Sequence, residues 1–213
     1  MFHGPDGARI RWTCTAAASS RDAAGHDAAH PARIAWRRVH WARMSDMTDM
    51  HIRRALRRDI PELHRLLRQV ADVHHHGRPD LFKAGATKYT DDELAAIVED
   101  DARPVFGAFA DADDATLLGY AFCMFERHPD NHVLTDVTTL YIDDICVDEK
   151  ARGRHVGTAV YRHVLDFARR SGCYNVTLNV WSCNPGAMAF YEQLGLKPYK
   201  VGMETILQTP HEG

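Results

Sequence analysis

One stretch constrains this chain more than any other. Leu140-Tyr-Ile-Asp-Asp-Ile-Cys-Val147 reads as a strand, and Asp-Glu-Lys-Ala-Arg152-Gly-Arg-His-Val-Gly157-Thr-Ala159 follows it directly. A β-forming run therefore enters a basic, glycine-containing turn that opens a long amphipathic helix. The start of a helix leaves backbone N–H groups without intrahelical partners and carries about half a positive charge, so it accepts anions. Gly153 and Gly157 allow close backbone approach, while Arg152 and Arg154 add positive charge. A diphosphate-bearing ligand suits such a turn. Many strand–glycine–helix junctions bind nothing, however, so the flanking pattern has to decide.

That pattern is informative. Val156, Ala159, Val160, Val164, Phe167 and Ala168 recur at helical spacing, which predicts a helix over 155–170 with one face on a sheet. Ser171-Gly172 stops it, and residues 175–181 alternate like a strand. The strand–helix–strand unit implies a right-handed parallel crossover. A short helix from Asn184 follows, with Gly195 at its C-terminal end, and a last strand is expected near 199–207. Upstream, residues 51–56 read as a first strand. Asp59 is an N-cap candidate with Pro61 in the first turn, and Leu63, Leu66, Leu67, Val70 and Val73 mark one face of a helix that Gly77-Arg-Pro-Asp breaks. A second helix over about 90–100 opens on Thr90-Asp-Asp-Glu93, a capping-box pattern. Strands at 104–109, 117–125 and 137–147 complete a single α/β (mixed α+β) domain over 47–207. Its expected order is strand, two helices, three strands, helix, strand, helix, strand.

With these elements in place, the chain resembles a known family. Arg152-x-x-x-x-Gly157-x-Ala159 follows an Ile-Cys-Val strand, and further on stand Asn184 and Ala189-Phe190-Tyr191-Glu192, then Leu194-Gly195-Leu196. This is similar to the GNAT superfamily of acetyl-CoA-dependent N-acetyltransferases, over about residues 50–207. The resemblance implies a central mixed sheet splayed at the CoA site, with acetyl-CoA as co-substrate. It implies that Ile145, Cys146 and Val147 hold the pantetheine arm through their backbone. Arg152, Gly153, Arg154, His155, Val156, Gly157 and Thr158 would then surround the diphosphate, and Asn184 and Tyr191 would contact CoA. One position departs from the family pattern: His155 stands where a glycine is usual.

Acetylation of an amine needs a held thioester, a neutral amine, a donor for the oxyanion and a proton for the departing thiolate. Tyr191 is the candidate acid, since a phenol with a pKa of about 10 stays protonated at neutral pH and can protonate a thiolate. Its bland alternative is a core aromatic beside Phe190. Asp143 and Asp144 are the candidate bases. Plain strand alternation puts them on opposite faces, with Asp143 sharing the parity of Ile145 and Val147. The family resemblance places the first acid at the acceptor, so Asp143 is preferred. The alternative role for a carboxylate there is to attract a cationic amine while water removes its proton. Asn184 can cap its helix, contact CoA or acceptor, or do both. His74-His75-His76 point about 100° apart on a helix and do not converge on one metal ion, so no metal site is expected. The segment 74–90 lies where the acceptor wall of the family forms, which makes His76, Arg78 and Phe82 candidates for substrate contact. His163 reads as a partly buried structural histidine.

Composition excludes other classes. A net charge of −3 and a pI near 6.5 give no general attraction to nucleic acid or anionic membrane. No G-x-x-x-x-G-K-[ST] loop is present, which weighs against phosphoryl transfer. The five cysteines form no C-x-x-C pair and suit a reduced cytoplasm. Residues 1–46 hold eleven Ala, seven Arg and no Lys, without a sustained apolar period. They are expected to be a poorly ordered extension or an over-called start, and 208–213 a C-terminal tail. The expected function is transfer of an acetyl group from acetyl-CoA to a small cationic amine or a peptide amine, and the resemblance allows a homodimer. The rival is a non-catalytic CoA-binding regulatory module.

Overall fold

The computed structural model describes residues 49–207, and the expectations for 1–46 and 208–213 lie outside them. Five strands form one sheet in sequence order: β1 (Met50–Arg54), β2 (Val105–Ala110), β3 (Leu117–Glu126), β4 (Thr139–Val147) and β5 (Asn175–Leu178). β1 through β4 are antiparallel neighbours, whereas β4 and β5 run parallel. Helices α1 (Ile60–Gly77) and α2 (Asp91–Val98) join β1 to β2. Helix α3 (Val156–Arg170) crosses from β4 to β5, because a parallel pair cannot be joined by a tight turn. Helix α4 (Pro185–Gln193) follows.

Both faces of the sheet are covered, so β3 reads as a nearly continuous apolar run. On one face Leu63, Leu66 and Leu67 of α1 and Leu94, Ile97 and Val98 of α2 pack with Val105, Phe109, Tyr120, Phe122 and Cys146. On the other, Val156, Val160, Tyr161, Val164 and Ala168 of α3 pack with Phe106, Ala108, Ala121, Leu140 and Ile142. Two caps form as the sequence indicates. Thr90 Oγ1 accepts from Glu93 N at 3.2 Å while the Glu93 carboxylate accepts from Thr90 N at 2.7 Å, and Asn184 Oδ1 accepts from Ala187 N at 3.1 Å. Asp59 precedes α1 without capping it. Its carboxylate accepts from Leu56 N at 2.8 Å and from Arg53 Nη1 at 2.7 Å, which ties β1 to the turn before the helix.

Two expectations are corrected. Val73 is exposed, because it lies past the part of α1 that rests on the sheet. The last strand does not form. Residues 197–207 have no regular structure, and Tyr199, Val201, Met203, Ile206 and Leu207 are exposed. Alternation alone does not make a strand without an edge to pair with, and Pro198 and Gly202 weaken this one further. The segment is tethered instead by Glu204, which pairs with Arg78 at 2.9 Å.

The decisive irregularity is in β4. Phe122 of β3 pairs with Asp144, but the next residue, Cys123, pairs with Ile142, so Asp143 is an extra residue in the ladder. A bulge of this kind shifts side-chain parity by one. Leu140 and Ile142 before it, and Ile145 and Val147 after it, all face α3, while Cys146 faces α1. Asp143 and Asp144 therefore lie on the same side of the sheet, against the plain alternation expected from sequence.

The join between β3, β4 and α3 is tight at Gly119, where an added Cβ would lie 2.8 Å from the Cys146 carbonyl oxygen and 3.1 Å from Val156 Cγ1. Gly119→Ala should lower stability by about 1–3 kcal/mol, as overpacking against backbone does. Urea unfolding should show a lower midpoint with an unchanged slope. An unaltered midpoint would mean that this contact is slack.

Candidate active site

Pairing between β4 and β5 stops at Ile142–Leu178. Residues 144–147 of β4 remain paired with β3 on one side, and on the other they face the gap beyond the last β4–β5 pair. A backbone edge of this kind is a template for an extended ligand. The strand end is fixed by charge. Buried Asp148 accepts from Lys150 N at 3.0 Å and pairs with Arg65 at 2.5 Å, and Arg65 also pairs with Glu62 at 2.8 Å and donates to Leu117 O at 2.8 Å. Helix α1 thus holds the segment that leads into the basic turn.

In that turn Gly153 has φ +77° and His155 has φ +61°, and an added Cβ at Gly153 would meet nothing within 4 Å. Left-handed residues in a turn are how successive N–H groups are made to converge on an anion. Arg152, Gly153, Arg154 and His155 are exposed, and Val156 and Gly157 open α3 from the buried side. Thr158 lies in the first turn of that helix and is partly buried. Gly157 has a role its sequence position does not reveal. An added Cβ there would lie 3.2 Å from both Phe190 Cζ and Val147 Cγ2, so its smallness lets α3, β4 and α4 meet.

The two carboxylates differ. Asp143, with 26% of its side chain exposed, accepts from Lys88 Nζ at 2.8 Å and Tyr89 Oη at 3.1 Å. Asp144, with 9% exposed, accepts from Tyr120 Oη at 3.1 Å and lies 3.7 Å from Lys88 Nζ. Burial pushes the Asp144 carboxyl above the usual carboxylate range, although Lys88 and Tyr120 pull it back. Tyr191 of α4 is buried and makes no hydrogen bond through its hydroxyl to any described residue. Burial, and then the charge of Asp144, raise its phenol above the ordinary value. Cys146 is buried as well, and burial pushes its thiol up to about 12, so it stays protonated.

The histidine run splits three ways. The His74 ring lies 4.9 Å from Phe82 and 6.5 Å from Trp181, His75 Nδ1 meets Phe82 O at 2.7 Å, and His76 Nδ1 meets Asp72 O at 2.6 Å. Among the described residues no group of three or more His, Cys, Asp or Glu side chains is placed to hold a metal ion, and no helix is long and apolar enough to cross a membrane. His163 packs edge-on to Phe106 at 4.8 Å, and burial lowers its pKa. Of the acceptor-wall candidates, Phe82 joins the aromatic cluster, Arg78 is committed to Asp80 and Glu204, and His76 turns back on its own helix. Sequence reasoning missed Lys88, Tyr89 and Tyr120, which surround the carboxylates. The first two sit in an aperiodic loop, where only their place in the segment 74–90 marks them.

His155 in the left-handed region costs about 1–2 kcal/mol for a residue with a Cβ. His155→Gly should leave the apparent constant for acetyl-CoA unchanged or lower it, whereas β-branched His155→Val should destabilise the fold and raise that constant. Steady-state kinetics with thermal melts would separate these. A Gly variant that no longer binds CoA would make the imidazole a ligand contact.

The model of the acetyltransferase (GNAT) family matches residues 70–196. Glucosamine 6-phosphate N-acetyltransferase 1 of Oryza sativa subsp. japonica is 38% identical over 63 residues, which is 30% of this chain and 36% of that protein. The chain thus aligns with little more than a third of that relative. Among solved structures, a mutant of the BH1408 protein from Bacillus halodurans matches with a TM-score of 0.70 at 26% identity, over 74% of this chain and 99% of that one. Glucosamine-6-phosphate N-acetyltransferase from Arabidopsis thaliana matches with a TM-score of 0.55 at 20% identity, over 75% and 99%, a likeness of fold. From the strand gap, the basic turn and the family match over 70–196, the chain belongs to the acetyltransferase (GNAT) family.

Proposed function

We propose that this protein transfers the acetyl group of acetyl-CoA to a primary amine by direct attack within a ternary complex. The observation that carries this reading is a coincidence in β4: the pairing with β5 ends at Ile142, and the bulge at the next residue turns two carboxylates to one face. The diphosphate is assigned to the turn 152–158, and the pantetheine arm to the open edge at Ile145, Cys146 and Val147. Backbone N–H groups on that edge would polarise the thioester carbonyl. Asn184 is committed to capping α4 and so shapes the CoA side of the gap indirectly. The amine approaches from the α1/α2 side.

Asp143, the more open carboxylate, is assigned to seat the incoming ammonium. Asp144 beside it has the raised pKa of a proton acceptor, and Tyr191 is the donor to the departing thiolate. A protonated Cys146 disfavours an acetyl-cysteine intermediate. The acceptor is assigned as a cationic amine, small or peptide-borne. Glucosamine 6-phosphate, named for the rice relative, belongs in any test panel. The second reading, a CoA-binding regulatory module, is favoured by the strained His155 in the turn. Thiol release with acetyl-CoA over a panel of amines decides between them: tight CoA binding without release for any amine or peptide would support the module.

Tyr191→Phe keeps the ring and removes the proton donor. It should lower kcat by about 10²–10⁴-fold, the usual weight of one general acid, with CoA binding and melting temperature nearly unchanged. A fully active variant would make Tyr191 a packing residue.

A raised base pKa means that activity is lost at higher pH, as acid is added, than for an ordinary aspartate near about 3.9. The acidic limb of kcat/KM should therefore lie above that value in the parent. Asp144→Asn should remove the limb, while Asp143→Asn should keep it and raise KM for the amine. The opposite pattern would exchange the two roles.

A further inference from the structure

We infer that Lys88 occupies the seat of an acceptor amine and is itself acetylated by this site, in an intramolecular reaction. The inference rests on the proposed reading of the acid pair as the acceptor end of the gap. Lys88 Nζ lies 2.8 Å from Asp143 Oδ2 and 3.7 Å from Asp144 Oδ2, and Tyr89 Oη donates to the same Asp143 oxygen at 3.1 Å. No other amine among the described residues pairs with either carboxylate. The four other lysines of the chain, Lys83, Lys150, Lys197 and Lys200, are exposed and form no ion pair with a described residue. The position is therefore particular to Lys88. It lies in the loop between α1 and α2 and keeps 36% of its side chain in solvent, so it is seated without being locked.

The chemistry balances without a further reactant. The ammonium, held at Asp143, gives one proton to Asp144 or solvent. The neutral Nζ attacks the thioester carbonyl carbon, and the N–C bond forms as the C–S bond breaks. The thiolate takes up a proton released from the reacting nitrogen, relayed through Tyr191. Products are Nε-acetyl-lysine, CoA thiol and one proton in solvent.

Lys88 faces Asp143, Asp144 and Tyr141 from β4, Tyr89 from its own loop and His74 from α1. Burial opposes its charge, but Asp144 and Asp143 outweigh burial and keep it protonated. The reaction is therefore slow at neutral pH, quickens as pH rises, and runs when no external amine holds the seat. Acetylation removes the positive charge that Lys88 contributes beside both carboxylates.

The test uses the full chain with isotope-labelled acetyl-CoA in an amine-free, mildly alkaline buffer, and follows each lysine by peptide mass spectrometry. Placement beside the thioester confers a large effective concentration, so Lys88 should be labelled at least about 100-fold faster than the other four lysines. The rate constant should not depend on protein concentration. Asp143→Asn, which unseats the ammonium, should bring Lys88 down to the rate of the others. Labelling of Lys88 no faster than Lys83 or Lys150, a rate that grows with protein concentration, or an undiminished rate in Asp143→Asn would each overturn the inference. A protein that turns over amines in the thiol-release assay but leaves Lys88 unlabelled overturns this inference alone. One that does neither overturns the proposed function with it.

Discussion

The site depends on one extra residue in a central strand. A bulge normally weakens a ladder, yet at Asp143 it falls where β4 loses its parallel neighbour, so the disruption is confined to the point at which the sheet is already opening. Below this point β4 is held on both sides, and Leu140 and Ile142 sit in the core under α3. Above it the strand is held by β3 alone, and its other edge faces the gap. Had the strand continued in plain alternation, Asp144 would have pointed into the apolar packing under α3. The bulge moves that charge to the α1/α2 side and lets Ile145 and Val147 take the α3 face instead.

Moving the charge does not make it comfortable. A buried carboxylate is costly unless paired, and Asp144 has the Tyr120 hydroxyl at 3.1 Å and the Lys88 ammonium at 3.7 Å. Those contacts offset burial only partly, which is why its pKa stays above the usual range. Asp143 is more open and takes the closer contact with Lys88. The loop between α1 and α2 thus supplies the counter-charge for a pair created by β4. In the proposed reaction an incoming amine competes with that loop for the same oxygens, which couples acceptor binding to the loop's position.

Much of this was legible in the sequence. The 3.6-residue period from Val156 to Ala168, the Thr90–Glu93 capping box and the Asn184 cap each rest on local chemistry, and each appears where expected. The gap between β4 and β5 was implied by the family resemblance, which calls for a sheet splayed at that point. The bulge did not, because a one-residue register shift leaves no mark on a strand whose residues are mostly apolar, and parity had to be assumed across it. The strand expected at 199–207 failed for the opposite reason: its pattern is adequate, but a strand also needs an edge to pair with. Lys88 was missed because an aperiodic loop carries no signal for where its side chains end up. Gly157 was read as a place for close backbone approach to a diphosphate, and the neighbours its smallness admits in the fold are Phe190 and Val147.

The proton economy of the proposed reaction follows from the same arrangement. Tyr191 as it stands is a reluctant acid, since burial and the charge of Asp144 both stabilise its protonated form. A thiolate whose conjugate acid has a pKa of about 8.5 would draw a proton from such a phenol only against a gradient. The gradient is not fixed, however. When the reacting amine hands its proton to Asp144, the carboxylate becomes neutral, and the part of the Tyr191 shift that comes from that charge disappears. What remains is burial, which a bound thioester and its departing sulfur alter in turn. Proton uptake on the acceptor side thus makes proton release on the thiolate side easier, at the moment the C–S bond breaks. On this account burial keeps Tyr191 protonated at the outset and the charge of Asp144 adds to that hold, so proton transfer from the amine to Asp144 removes the electrostatic share and favours amine deprotonation before thiolate protonation.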